Sequence, residues 1–377
     1  MICLIIFLIP VIVFAQVDIF GYYESEYDHI QLANKSYNFG YNKLRIDLES
    51  RPSDQVMIAG NINFKLPYGK TEWDFFDFIP VDTVQVDGEE ITSFPKTFIN
   101  EVYLNNIYLR TSFSKFDLTI GRQPLSLGTG YAWNPLDIFN RKVLIDPTYE
   151  QPGINALRME IPMDLAGTYL DAIITPDSTW EMSTKMIQIK KGLGSFDISL
   201  NGAYQHHLVP NAEAGYTYEN VYFVGGAFVG EFWKFGLWGE TLWSLDVDDN
   251  FGEFVLGTDH TLNNGLYIMC EYLHNSLGAD EDDLHDHYMY NYRGEIHSLM
   301  KNYIFTMGMY NVTDYIASSM VVFGNLDDNS YILAPQIDWE VFEDVTVGVW
   351  GSQSIGDEDT EFGIQNRSVR FRMRAYF

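Results

Sequence analysis

The last nine residues of the chain alternate without a break. Val369, Phe371, Met373, Ala375 and Phe377 take one set of positions, and Arg370, Arg372, Arg374 and Tyr376 take the other. Successive side chains of a strand point to opposite faces. The segment therefore predicts a strand with one wholly apolar face and one face of three arginines and a tyrosine. A half-buried soluble strand and a strand in a membrane wall both read this way. The period recurs upstream. In 55–66, Val56, Ile58, Ile62, Phe64 and Leu66 alternate with Asn61, Asn63 and Lys65; in 39–50, Leu44, Ile46 and Leu48 alternate with Lys43, Arg45, Asp47 and Glu49. Around 153–161, Leu157, Met159 and Ile161 alternate with Arg158 and Glu160. Period two, not 3.6, organises this chain.

Marking every such stretch predicts about eighteen strands, with sixteen as the alternative count: 17–27, 39–50, 55–66, 98–111, 116–123, 153–161, 165–174, 179–190, 194–206, 218–229, 232–243, 252–262, 265–274, 300–310, 314–325, 329–339, 344–352 and 366–377. The links separate the soluble reading from the membrane one. Those after even-numbered strands are tight, as at Arg51-Pro52-Ser53-Asp54, Gly230-Glu231 and Asn263-Asn264. The longest links, 67–97, 124–152, 275–299 and 353–365, all follow odd-numbered strands. Sorting long loops to one end is the habit of outer-membrane barrels, which have short periplasmic turns and long outer loops. Lipid cannot satisfy backbone polar groups, so a spanning sheet must close. The expected fold is all-β: one transmembrane, antiparallel, up-and-down β-barrel. Tyr22, Tyr23, Phe113, Phe116, Trp233, Phe235, Trp238, Trp243, Tyr376 and Phe377 lie near predicted strand ends, where aromatic girdles form.

Composition narrows the partners. The 52 acids against 23 bases leave a net charge of −29, which argues against nucleic acid, whose phosphates need a basic face. Residues 2–14 are continuously apolar, too short to span a membrane, and Val13 and Ala15 sit where a signal peptidase needs small residues. We expect a signal peptide at 1–15 and a single barrel domain at 16–377. Removal of that segment leaves Cys270 alone, so no intrachain disulfide staples the fold. The chain carries no G-x-S-x-G, no H-E-x-x-H and no phosphate-cradling loop, and no enzymatic activity is expected.

Two stretches carry a resemblance to known families. Arg370 through Phe377 resembles the C-terminal strand that Gram-negative assembly machinery recognises, which implies Phe377 as assembly signal and the barrel assembly machinery as a partner. Gly121-Arg122-Gln123, followed by Leu127-Gly128-Thr129-Gly130-Tyr131-Ala132-Trp133-Asn134-Pro135-Leu136-Asp137, resembles the porin-like proteins of the alginate-export type. Asp328-Asn329-Ser330-Tyr331 and Glu361-Phe362-Gly363 are compatible with the same group. This resemblance implies an eighteen-stranded channel in the bacterial outer membrane, among lipid and lipopolysaccharide. The chain departs from that family in its acid excess.

If apolar faces meet lipid, the alternate residues line the lumen. They include Lys43, Arg45, Lys65, Arg110, Arg158, Arg370, Arg372 and Arg374, contiguous once the last strand closes on the first. One reading is a basic ladder that holds anionic or hydroxylated solutes. The other is a polar lumen whose bases are paired with Asp47, Glu49 and Glu160. The loop at 124–152 is expected to fold inward, with Asp137, Arg141, Lys142 and Asp146 as constriction residues. Acid clusters at 246–249, 280–283 and 357–359 offer oxygen ligands to divalent cations, without EF-hand spacing. His285 and His287 flank Asp286, a weak metal pattern. The expected function is passive passage of small hydrophilic solutes, anionic or saccharide, through a monomeric or homo-oligomeric channel that needs no cofactor. The alternative is a non-conducting surface-binding or structural barrel.

Overall fold

The computed structural model describes residues 17–377 except 33–34, 80–81, 87–88, 141–149, 164–166, 212–214, 246–250, 280–286, 289–290, 292–297 and 365. The segment expected as a signal peptide lies outside the described residues. Among those described, the alternating stretches become β1 (Val17–Leu32), β2 (Lys35–Ser53) and β3 (Val56–Gly69). Four short strands follow in the next loop: β4 (Glu72–Asp74), β5 (Val84–Val86), β6 (Glu89–Ile91) and β7 (Pro95–Thr97). The long strands resume with β8 (Glu101–Ser112), β9 (Asp117–Gln123), β10 (Ile154–Pro162), β11 (Tyr169–Thr175), β12 (Thr184–Leu193), β13 (Phe196–Asn211) and β14 (Gly215–Phe232). The remainder are β15 (Phe235–Leu245), β16 (Gly252–Thr261), β17 (Tyr267–Asn275), β18 (Asn302–Thr313), β19 (Ile316–Asn325), β20 (Ser330–Phe342), β21 (Val345–Ile355) and β22 (Asn366–Tyr376).

Eighteen of these, β1–β3 and β8–β22, form one antiparallel sheet. It closes because β1 pairs with β2 on one edge and with β22 on the other. Each expected strand overlaps an observed one, and the four longest links follow odd strands as expected. The main difference is at the top of the first hairpin. Its polar residues continue the ladder to Leu32↔Lys35, so the link expected at 28–38 shrinks. Paired strands continue into water because only the lipid band demands apolar residues.

Alternation sets the two faces. On β13, Leu200 is 65% exposed on the outside while its neighbours Ser199 and Asn201 are buried inside. Tyr23, Phe113, Trp233, Phe235, Trp243 and Phe377 are exposed, as girdle residues would be, and Phe116 is half-buried. Tyr376 is exposed but shares the inward parity of Arg374 and meets the Tyr22 ring. Tyr22 and Trp238 are not exposed. Both are buried and face inward, because Tyr22 shares the parity of Glu24 and Trp238 that of Glu240. The closing seam runs from Tyr22↔Tyr376 to Leu32↔Asn366, and Phe377 extends it by exchanging backbone hydrogen bonds with Gly21 at 3.0 and 3.1 Å.

A bulge where β3 meets β8 has a use. Asn105 and Asn106 both face Asn61, whose side-chain oxygen accepts their N–H groups at 3.1 and 3.3 Å. The Asn105 side chain then donates to the Gln151 carbonyl and accepts from Gly153 N–H, both at 3.3 Å. The irregularity anchors the returning end of the 124–153 loop. The lipid-facing assignment makes a checkable claim. Leu200→Arg should lower unfolding stability in lipid vesicles by about 2–4 kcal/mol, whereas Leu200→Ala should cost less; denaturant titration measures both.

Candidate functional site

The interior is divided. On β10–β15 the inward positions near the outer strand ends are apolar, among them Ile173, Met186, Phe223 and Leu242, while Arg158, Asp171, Gln188, Asn201 and Glu240 follow on the same faces. Leu125, Leu127 and Leu136 of the 124–153 loop pack against them, which places this loop inside the barrel. A second apolar cluster joins Trp133 of the same loop to Ile79 and Val84 of the loop after β3. It includes Leu299 and Met300 from the loop after β17, and Trp238, Leu273 and Phe305 from the wall. An apolar inner wall in a water-filled barrel would expose hydrocarbon, so burying it beneath loops is favourable.

Two wall glutamates fix the loop. Glu271 on β17 is 0% exposed and accepts the backbone N–H groups of Tyr131, Ala132 and Trp133 at 2.7, 2.8 and 2.9 Å. It also accepts the indole N–H of Trp238 at 2.5 Å. Glu240 on β15 accepts Thr129 N–H at 2.8 Å. Gly128 has φ of +83°, and a Cβ there would collide with the Glu240 carboxylate. A carboxylate that receives several N–H bonds can remain charged when buried. The Leu127–Asp137 motif is thus held by specific contacts with the wall. Nothing in the local sequence marked these two glutamates; each lies more than 100 residues from the loop it holds.

The opposite wall, β22–β1–β2, is charged. Arg374, Arg372 and Arg370 stand opposite Glu24, Glu26 and Asp28 in the register of the seam. Arg374 meets Glu24 at 2.5 Å, Arg372 lies 3.8 Å from Glu24, and Arg370 meets Asp28 at 2.5 Å. Arg372 also stacks over Trp350, 4.4 Å from its ring centre. Arg45 is bound by Asp47 at 2.7 Å, and Lys43 by Glu150 at 2.7 Å. Glu150 returns from the inward loop and also approaches Arg45 at 3.3 Å and Arg374 at 3.7 Å, while the Tyr22 hydroxyl donates to it.

The remaining bases are spread around the wall. Lys65 lies over the Tyr41 ring at 4.2 Å. Arg110 binds Asp117 at 2.8 Å, and Arg158 binds Asp171 at 2.6 Å and Glu160 at 3.1 Å. The basic arc is therefore contiguous where it crosses the seam, and acids neutralise it. Asp47 and Glu160 act as the expected partners, but Glu49 binds Arg51 instead. Sequence reading missed Glu24, Glu26, Asp28 and Glu150. Inward parity on the first strand marks the first three; no pattern marks Glu150.

Asp137 is 2% exposed and accepts hydrogen bonds from Asn140 and Gln151 at 3.3 and 3.4 Å, so it stabilises the loop from within. Arg141, Lys142 and Asp146 lie outside the described residues, as do His285, Asp286 and the acid clusters at 246–249 and 280–283. Asp357, Glu358 and Asp359 are exposed. Among the described residues no group of three or more His, Cys, Asp or Glu is arranged to hold a metal ion. Arg122 donates from Nε to the Asn105 carbonyl at 2.9 Å, at the bulge.

The Glu271 arrangement predicts a local effect. Glu271→Ala removes the acceptor that four N–H donors share, with those of Ala132, Trp133 and the Trp238 indole among them buried. Amide hydrogen exchange at Tyr131–Trp133 should then accelerate at least tenfold, while the amides of β1 and β22 keep their protection.

No family model matches this sequence, and no curated protein matches it. Solved structures do match. OccAB1 from Acinetobacter baumannii superposes with a TM-score of 0.59 at 9% identity, over 96% of this chain and 96% of its own. OccK11 (OpdR) from Pseudomonas aeruginosa gives 0.58 at 9% identity, over 96% of each chain. A variant of OccD1 (OprD) gives 0.58 at 9% identity, over 96% of this chain and 95% of its own. These proteins are outer-membrane porins. With its closed eighteen-stranded sheet, outward apolar face and inward loop, the chain has the fold of a bacterial outer-membrane porin.

Proposed function

We propose that this protein is an outer-membrane channel for passive passage of small hydrophilic solutes along the charged wall of β22, β1 and β2. The observation that carries this reading is the division of the interior. Loops cover the apolar wall, while the charged wall across from it keeps its side chains on the lumen side. Glu24, Glu26 and Asp28 are buried and Glu150 of the inward loop reaches this wall, but Arg370, Arg372 and Arg374 keep 21%, 15% and 16% of their side-chain surface exposed. A barrel that served only as a scaffold has no use for such a row.

The wall is balanced. Lys43, Arg45, Arg370, Arg372 and Arg374 give five positive charges, and Glu24, Glu26, Asp28, Asp47 and Glu150 give five negative ones, all within the contacts described. A basic arc alone would select anions. A paired one favours neutral polar solutes or solutes that carry both signs. The resemblance to the alginate-export type agrees in fold and strand number, but a neutralised arc is poorly suited to a polyanion. We assign Phe377, exposed and bonded to Gly21, as the assembly signal, on its position at the end of the alternating last strand.

Conductance of the refolded protein in a planar bilayer under a salt gradient tests the channel. Stable steps with a reversal potential near zero are expected; a folded barrel with no conductance would support the surface-binding alternative. Glu150→Gln removes one negative charge from the balanced set and should move the reversal potential toward anion selectivity.

The pH response has a defined sign. Burial alone would raise the Glu150 carboxyl, but hydrogen bonds from Lys43 and Tyr22 and the charges of Lys43 and Arg45 hold it below its ordinary 4.5. Its pairs are complete above that value and are lost as pH falls through the depressed one. Wild-type selectivity should hold from pH 7 to 5 and turn toward anions only below the ordinary value. The Glu150→Gln channel should lack that component of the change.

A further inference from the structure

We propose that the outer half of the lumen contains a binding site for an uncharged amphipathic solute, one apolar ring joined to a polyhydroxyl part, as in an aryl glycoside. The proposal rests on the channel reading and specifies which solutes the channel would favour. A cavity of about 410 Å³ lies against β18–β22 beneath the outer loops, within the size range of small-molecule sites. Phe75, Phe78, Phe305, Phe323 and Phe362 contribute apolar lining. Gln336, Ser352, Ser354, Asn366 and Ser368 contribute hydroxyl and amide groups from β20–β22. The serines are already organised, with Ser352 and Ser368 hydroxyls 2.7 Å apart and Ser354 donating to Asn366 at 2.6 Å.

Two further residues point to a ligand. Tyr288 and Trp350 both line this cavity, 3% and 5% exposed. Among the described residues, neither the Tyr288 hydroxyl nor the Trp350 indole N–H has a hydrogen-bond partner. A buried polar group without a partner costs free energy that a bound acceptor recovers. Both atoms are buried in the cavity wall, so an occupant with acceptor oxygens would satisfy them once a small rotation of either side chain turns its donor toward the cavity.

Charge sets the class. Among the described residues the cavity's charged lining is Glu361 and Arg370, one of each sign, and both are engaged: Glu361 by Tyr303 and Asn325, each at 2.7 Å, and Arg370 by Asp28. A carboxylate or ammonium entering here would be desolvated without a dedicated counter-charge. A neutral ring with hydroxyls meets aromatic faces on one side and hydroxyl and amide groups on the other. Arg370 lies at the start of the paired seam, so a solute leaving the cavity along β22 next meets the charged wall.

The test uses phenyl β-D-glucoside as probe, with glucose and benzoate as controls. Calorimetry on the refolded barrel in detergent reads binding whether or not the barrel conducts, and blockade of single-channel current reads the site within a pore. Phenyl β-D-glucoside should bind saturably and interrupt the current, with glucose and benzoate each at least tenfold weaker. Tyr288→Phe and Trp350→Phe keep the apolar planes and remove one donor each, so each should weaken binding about three- to tenfold. Heat-dependent gel mobility checks that the variants fold.

Binding without conductance would support the site and overturn the channel. Conductance with no binding would overturn the site alone. Benzoate bound as tightly as the glucoside would overturn the uncharged class. Unchanged affinity in both variants would mean that the two donors serve only water, and would overturn the site as built around them.

Discussion

Everything in this molecule depends on the join between its first and last strands. A sheet in lipid has no water to satisfy an open edge, so an unclosed barrel would leave a row of bare N–H and C=O groups. The backbone ladder from Tyr22↔Tyr376 to Leu32↔Asn366 removes that edge. The ladder alone does not fix its register, because any slip by two residues would preserve the alternation. The inward charges do. Arg370, Arg372 and Arg374 meet Asp28, Glu26 and Glu24 only in the observed register. A two-residue slip would leave one terminal charge of each ladder without its opposite partner. Charged side chains buried beside a lumen cost free energy when unpaired, so they specify the pairing more sharply than they strengthen it.

That same seam constrains the interior. The densest run of charges is on β22, β1 and β2, while the outer ends of the facing strands carry an apolar cluster, and an apolar inner surface recruits loops. The 124–153 loop enters because leucines of its first half can bury against β10–β15, and Glu271 and Glu240 absorb its exposed N–H groups. Its far end returns to the charged side through Glu150. The described ends of one loop therefore touch both walls, and the geometry of any path follows from where those two ends are tied.

The strands were legible in the sequence because their signal is local. Alternation over ten residues reports its own two faces, and all eighteen stretches read that way became barrel strands. Link lengths were legible because chain parity alone assigns each to one end. The site was legible only on one side. The bases of the arc stand out as isolated cations between apolar residues. Their partners Glu24, Glu26 and Asp28 sit among tyrosines, in a strand whose outward face is itself partly polar. Tyr22 and Trp238 were assigned by nearness to a strand end, where parity with Glu24 and Glu240 decides the matter. Glu150, Glu240 and Glu271 act across more than 100 residues of chain, and no local period encodes such contacts.

In the channel we propose, the paired seam and the outer cavity divide the problem of selectivity between them. A lumen lined by unpaired cations would attract anions strongly and release them slowly, since conduction requires binding weak enough to leave. Pairing each arginine with an acid lowers the field that a passing solute meets. Discrimination must then come from shape and hydrogen bonding, the properties of the outer cavity, where aromatic rings meet serine and amide groups. The same economy explains why the two unpartnered donors lie there and not on the seam. On the seam an unsatisfied donor would weaken closure, whereas in the cavity it can wait for a solute at a cost that the closed barrel tolerates.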